Sequence, residues 1–172
     1  MQSINDNIVD IKYQQTGTSS TTNSLGMREM QAKAYEARNN RFLLIKAPPA
    51  SGKSRALMFI ALDKLKNQGI KKVVVAVPEK SIGRSFQNTS LMKFGFFADW
   101  RVAPYFNLCD ASNESDKAKR FVEFFHQDGC KILVCAHATL RNGMKEINDE
   151  EFNDCLLAID EFHHTSADVN SG

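Results

Sequence analysis

Thirteen residues constrain this chain more than any others: Phe42-Leu43-Leu44-Ile45-Lys46-Ala47, followed by Pro48-Pro49-Ala50-Ser51-Gly52-Lys53-Ser54. Four apolar residues in succession leave no polar face, so the first six read as a buried strand. The Pro pair and the Gly-Lys-Ser turn read as a loop that opens a helix. Such a strand, loop and helix start make a cradle for phosphate. Successive backbone N–H groups converge on one spot there, and the positive end of the helix dipole adds to them. Pro49, Ala50, Ser51 and Gly52 form the expected cradle, with Gly52 letting the backbone approach an anion unhindered. Lys53 supplies a point charge for β and γ phosphates, and the Ser54 hydroxyl is a ligand for Mg²⁺. The plain alternative is an ordinary turn before a helix.

The chain around this loop, 172 residues with 42% hydrophobic and 24% charged, is long enough for one substantial core. No apolar run is long enough to span a bilayer, and residues 1–24 are too polar for a signal peptide, so a cytoplasmic protein with no membrane partner is expected. A net charge of +2 is too small to imply nucleic acid by itself, so any such contact must come from local placement of Lys and Arg. Cys109, Cys130, Cys135 and Cys155 form no Cys-x-x-Cys pair. Cys135 and Cys155 sit in apolar runs that suit reduced, buried thiols, and His126 with Cys130 and Cys135 fits no standard zinc spacing.

Residues 1–25, rich in Ser, Thr, Asn and Gln, are expected as a loosely packed lead-in with a short strand around 8–13; residues 26–172 are expected as the folded domain. Within it, 27–38 reads as a helix with Met27, Met30, Ala34 and Tyr35 on one face. Residues 53–65 read as a helix that is apolar nearly all round, stopped by Asn67-Gln68-Gly69. A buried strand over 72–77 ends at Pro78, and a helix is expected over 79–87. The aromatic cluster of Phe94, Phe96, Phe97, Trp100, Tyr105 and Phe106 flanks an expected strand at 101–103. It reads as core in preference to a base-stacking platform. An amphipathic helix over 112–127, a strand over 131–136, a short helix or loop over 138–144 and a last strand over 155–159 complete the pattern. Strands alternating with helices at this spacing imply right-handed crossovers and a mainly parallel central sheet covered on both faces. That is an α/β three-layer sandwich, with ligands at the carboxyl ends of the strands.

The last strand carries the second motif. Leu156-Leu157-Ala158-Ile159 leads into Asp160-Glu161, so a buried strand delivers two carboxylates. Asp160 suits the metal side of a Mg²⁺-nucleotide, and Glu161 suits a general base that polarises the attacking water. Many strands end in an acid; the 107 residues and intervening strands after the phosphate loop give this one its meaning. His163 and His164 read as exposed loop histidines or as part of the same motif.

Together these residues resemble the first RecA-like domain of a superfamily 2 DExH helicase, a P-loop NTPase. The likeness is greatest to the ATP-driven translocase domains of type I and type III restriction enzymes, and it spans residues 26–165. Ala47 to Ser54 matches the first motif, with Ala47 where the general form has Gly, as is usual in superfamily 2. Asp160 to His163 matches the second. The resemblance implies ATP and Mg²⁺ as cofactors and gives His163 a coupling role between ATP and nucleic acid. It also makes Arg28 and Gln31 an upstream motif that reads adenine, through a Gln amide that can both donate and accept; an exposed helix residue is the alternative. Pro78, Lys80 and Arg84 fall where the family first touches the nucleic-acid backbone; a solvated helix end with ordinary basic residues is the alternative there. His137, Thr139 and Arg141 fall near a further contact, although Ala136 stands where a Thr is common.

The implied protein is a DNA-dependent ATPase, with RNA also possible, acting as helicase or translocase. Its second RecA-like domain, with the arginine finger, is expected in a longer chain that also serves nuclease or methyltransferase subunits. Hydrolysis by residues 1–172 alone is expected to be weak or absent. Two rivals are a P-loop kinase, which needs an Arg-rich lid not evident after Ser54, and a non-catalytic nucleotide-binding module, which intact Lys53, Asp160 and Glu161 disfavour.

Overall fold

In the computed structural model the described residues are 8–12, 22–48, 50–78, 82–110 and 113–160. They fall into two compact units, Met1–Gln68 with Ser90–Trp100, and Gly69–Thr89 with Arg101–Gly172. Every strand pair in both is parallel, giving an α/β fold.

In the first unit, β1 (Ile8–Lys12) pairs with β2 (Phe42–Lys46) from Ile8 opposite Phe42 to Lys12 opposite Lys46. The short strand expected near 8–13 is therefore present. Helix α1 (Glu29–Glu36) is shorter than the predicted 27–38, and α2 (Lys53–Asn67) is two residues longer than predicted. Met30 and Ala34 of α1 pack on Ala56 and Ile60 of α2, with Leu43, Ile45 and Ala47 against them. The α2 helix stops at Gln68, before a left-handed Gly69 with φ +71°. Phe96 is buried edge-on to Phe59 and Tyr35, with ring centroids 4.7 and 5.8 Å away, and Trp100 is fully buried. Of the six aromatic residues, Phe96, Trp100 and Phe106 are core, Phe97 is half-buried, and Phe94 and Tyr105 are exposed.

Sequence periodicity did not reveal a polar knot on α2. Asp63, 4% exposed, accepts hydrogen bonds from Tyr35 Oη (3.2 Å), Asn67 Nδ2 (2.8 Å) and Gln68 Nε2 (2.8 Å), and Arg38 Nε lies 3.3 Å from its other side. Burial opposes ionisation of Asp63, but the hydrogen bonds from Gln68 and Asn67, then Arg38 and Tyr35, outweigh it and hold the carboxyl below its ordinary range. The neighbouring Lys64 ammonium donates to Asn40 O and Gln68 Oε1. A buried charge satisfied this fully stitches the end of α1 to α2.

The second unit is built on a sheet of order β4-β3-β5, with β3 at Lys72–Val77, β4 at Ile132–Ala136 and β5 at Cys155–Ile159. Val73–Val77 are fully buried, as their unbroken apolar run predicts. Helix α3 (Glu114–His126) begins at Asn113, whose Oδ1 accepts from the Asp116 N–H at 2.8 Å. Its Phe121 and Phe124 are fully buried on Val74, Ala76, Leu133 and Cys135 with Phe106 and Leu108. Each such phenylalanine contributes about 1.5–3 kcal/mol by burial alone. Lys72 Nζ donates to Gln127 O and Cys130 O, both at 2.6 Å, closing the turn from α3 into β4.

Two expected elements differ. Residues 101–103 are irregular, not a strand: the Val102 N–H donates to Asn88 Oδ1, and Pro104, which has no N–H, opens a single 3-10 turn over Pro104–Phe106. The described part of the helix expected at 79–87 is a 3-10 turn over Ile82–Phe86. The short segment after β4 is a helix, α4 (His137–Gly143).

Candidate functional site

The phosphate-loop residues lie in the first unit, at the carboxyl end of β2. Ala50 has φ +60° and Gly52 has φ +89°, so the backbone enters the left-handed region twice within three residues before α2 starts. For Gly52 that conformation is cheap; for Ala50 it costs about 1–2 kcal/mol, a strain typical of functional turns. Ser51 N–H donates to Pro48 O (3.3 Å) and Ala56 N–H to Gly52 O (3.1 Å). No acidic residue lies in the first turn of α2 and no side chain caps it, so its own residues leave the positive end of the dipole uncompensated. Ser51 Oγ is buried and has no hydrogen-bond partner among the described residues. Lys53 and Ser54, half-buried, form the first turn. Pro49 lies outside the described residues.

Gln31 is not the exposed helix residue of the plain alternative: it is 3% exposed. Its Oε1 accepts from the Arg28 N–H at 2.8 Å, capping α1, and its Nε2 donates to Gly52 O at 3.1 Å. The two contacts fix the amide orientation, since only the oxygen can accept the Arg28 N–H. A Cβ on Gly52 would sit 2.4 Å from Gln31 Nε2. Gly52 is thus required twice, for its dihedral and for the approach of Gln31. The sequence suggested only the approach of an anion. Arg28 is exposed at the start of α1.

The acid strand lies in the second unit. Asp160 follows β5 directly and is half-buried, and its N–H donates to Ala76 O at 2.8 Å, extending the β3 pairing by one residue. Its carbonyl accepts from His137 Nε2 at 2.9 Å. Pro78, His137 and Asp160 follow β3, β4 and β5, so parallel pairing brings all three to the same end of the sheet. Arg84 and Arg141 are exposed, whereas Thr139 is 3% exposed. Thr139 is therefore a packing residue, and its hydroxyl is withdrawn from any polymer on the surface. Lys80, Glu161 and His163 lie outside the described residues.

A hydroxyl at Ser54 and a carboxylate at Asp160 are hard oxygen donors of the kind Mg²⁺ takes, and an unpartnered Ser51 hydroxyl beside an uncapped helix start suits phosphate. Among the described residues no group of three or more His, Cys, Asp or Glu could hold a metal by itself. His126 pairs instead with Glu151. Burial disfavours the thiolate at two of the cysteines, pushing Cys155 up to about 12 and raising Cys135 as well. No helix among the described residues is long and apolar enough to cross a membrane.

The family model described as "Type III restriction enzyme, res subunit" matches residues 8–171. A Bacillus subtilis (strain 168) protein named "Putative ATP-dependent helicase YeeB" is 60% identical over 166 residues, 96% of this chain and 27% of that protein. "Putative helicase 22" of Sulfolobus islandicus filamentous virus (isolate Iceland/Hveragerdi) is 31% identical over 126 residues, 73% of this chain and 20% of that protein. The chain thus spans about a quarter of the length of these relatives. No solved structure matches it significantly.

Proposed function

The chain belongs to the family of the type III restriction enzyme res subunit, and on that premise we propose that it is the ATP-binding motor domain of a nucleic-acid-dependent ATPase, a helicase or translocase. The observation that carries the reading is the head of α2: a left-handed Gly52 backed by buried Gln31, ahead of Lys53 and Ser54, with no acid in the first turn. A helix start with unsatisfied N–H groups and a lysine is built for a polyphosphate.

In this reading Lys53 and the backbone of Ala50 to Lys53 hold the β and γ phosphates of ATP. Ser54 and Asp160 are the residues that would offer oxygen ligands to Mg²⁺, which would supply charge neutralisation for the phosphates. Glu161 accepts a proton from the attacking water. Gln31 holds the loop and, with its remaining amide hydrogen, meets the adenine edge beside Arg28. Arg84 and Arg141, with Pro78 and Lys80, contact the backbone of DNA, or of RNA, whereas His137 turns its imidazole to Asp160 O, and His163 couples nucleic acid to ATP. A second RecA-like domain of a longer protein supplies the arginine that stabilises the transferring phosphoryl group; nuclease or methyltransferase subunits, in the cytoplasm, are the partners the family suggests.

The test is nucleotide titration followed by turnover. Lys53→Ala should weaken Mg·ATP binding at least tenfold; unchanged affinity by calorimetry would remove the phosphate-site reading. ATP hydrolysis by the longer protein should rise with DNA or RNA. A rate indifferent to both polymers would favour a phosphotransferase.

A further inference from the structure

We propose that His137 is a positioning residue for Asp160: its imidazole holds the carbonyl of that residue at the end of β5. The inference rests on the reading of Asp160 as the metal-side carboxylate.

The sheet order places β3 between β4 and β5, so the start of α4 and the end of β5 are two strand spacings apart, about 10 Å. Backbone cannot bridge that gap. His137 does so with its side chain, Nε2 lying 2.9 Å from Asp160 O. A carbonyl oxygen only accepts, so Nε2 carries the hydrogen. The Asp160 N–H is already held by Ala76 O at 2.8 Å. The two contacts pin Asp160 on both sides, the Ala76 carbonyl at its N–H and the His137 imidazole at its C=O.

The anchor at the other end is firm. Thr139 and Leu140 are buried, and at Gly143 a Cβ would come within 2.4 Å of the Phe121 ring, so α4 is seated hard on α3. On the other side of α4, Arg141 and Asn142 are exposed. The same short helix therefore carries a basic side chain at the surface and the group that holds Asp160. Displacing α4 would move both.

The experiment compares His137→Phe, which keeps the ring and loses the donor, with His137→Gln, whose amide can donate in its place. ATPase is measured with nucleic acid in the longer protein that carries this chain. Misplacing a reacting group by an ångström costs up to about a hundredfold. His137→Phe should lower kcat roughly tenfold or more while the ATP KM changes less than about threefold, and His137→Gln should recover most of kcat. If the phenylalanine variant does not fold, His137→Asn, polar but shorter, should show the same loss. Nitrogen NMR of the unsubstituted protein should find the neutral ring as the Nε2–H tautomer. An unchanged kcat in His137→Phe, a glutamine variant no better than phenylalanine, or an Nδ1–H tautomer would each overturn the assignment. Asp160→Asn separates the two levels. If it leaves the Mg²⁺ dependence of ATP binding intact, the reading of the acid falls and takes this inference with it. If that dependence is lost while His137→Phe is silent, only the role of His137 falls.

Discussion

Substituting Gly52 with alanine tests the phosphate loop without any nucleotide. Two costs separate cleanly. An L-residue at φ +89° costs about 1–2 kcal/mol, whatever surrounds it. The new Cβ also meets Gln31 Nε2 at 2.4 Å, and that side chain must leave. Leaving breaks its hydrogen bonds to Arg28 N–H and Gly52 O, a net loss of about 1 kcal/mol each. Gly52→Ala should therefore destabilise the first unit by about 3–4 kcal/mol, and Gln31→Ala, which removes the same two bonds, by about 2 kcal/mol.

In the double variant the bonds are lost only once and nothing obstructs the Cβ, so the total should fall short of the sum by about 2 kcal/mol. The single tryptophan, Trp100, is fully buried in the first unit, and its fluorescence in urea reports that unit's unfolding. Costs that add to within about 0.5 kcal/mol would refute the claim that Gln31 is seated on Gly52.

Further outcomes follow from other contacts. Asp63→Ala should cost about 3 kcal/mol, because Asn67, Gln68, Tyr35 and Arg38 lose a shared partner inside the protein. Since the Asp63 carboxyl titrates below its ordinary value when folded, its contribution is complete above the unfolded pKa and fades as pH falls through the folded one. Asp63→Asn should therefore flatten the loss of stability below about pH 4, measured by Trp100 fluorescence; an unchanged acid limb would contradict it. Gly143→Ala gains about 1 kcal/mol of helix propensity yet drives a methyl to 2.4 Å from a fully buried Phe121 ring, so a net loss of stability in thermal unfolding is expected. Lys72→Met should lower stability by about 1–3 kcal/mol, since Gln127 O and Cys130 O lose their shared donor.

The amino-acid sequence by itself determined most of the strands and helices and the order of the motifs. The unbroken apolar run at Val73–Val77, the Asn113 cap and the Gly-Lys-Ser turn each carry their structural meaning within a few residues, because periodicity and turn chemistry are local. Where local signals compete, they misled: β-branched Val102 suggested a strand, but Pro104 and the side chain of Asn88 claimed that segment. Only the tertiary structure decided which polar group meets which. Gln31 reaches Gly52 across 21 residues, Tyr35 reaches Asp63 across 28, and His137 reaches Asp160 across 23. The physical reason is that a hydrogen-bonding side chain advertises its capacity in the sequence but not its partner. Packing of the apolar faces sets the partner by bringing distant carbonyls and carboxylates within about 3 Å of it.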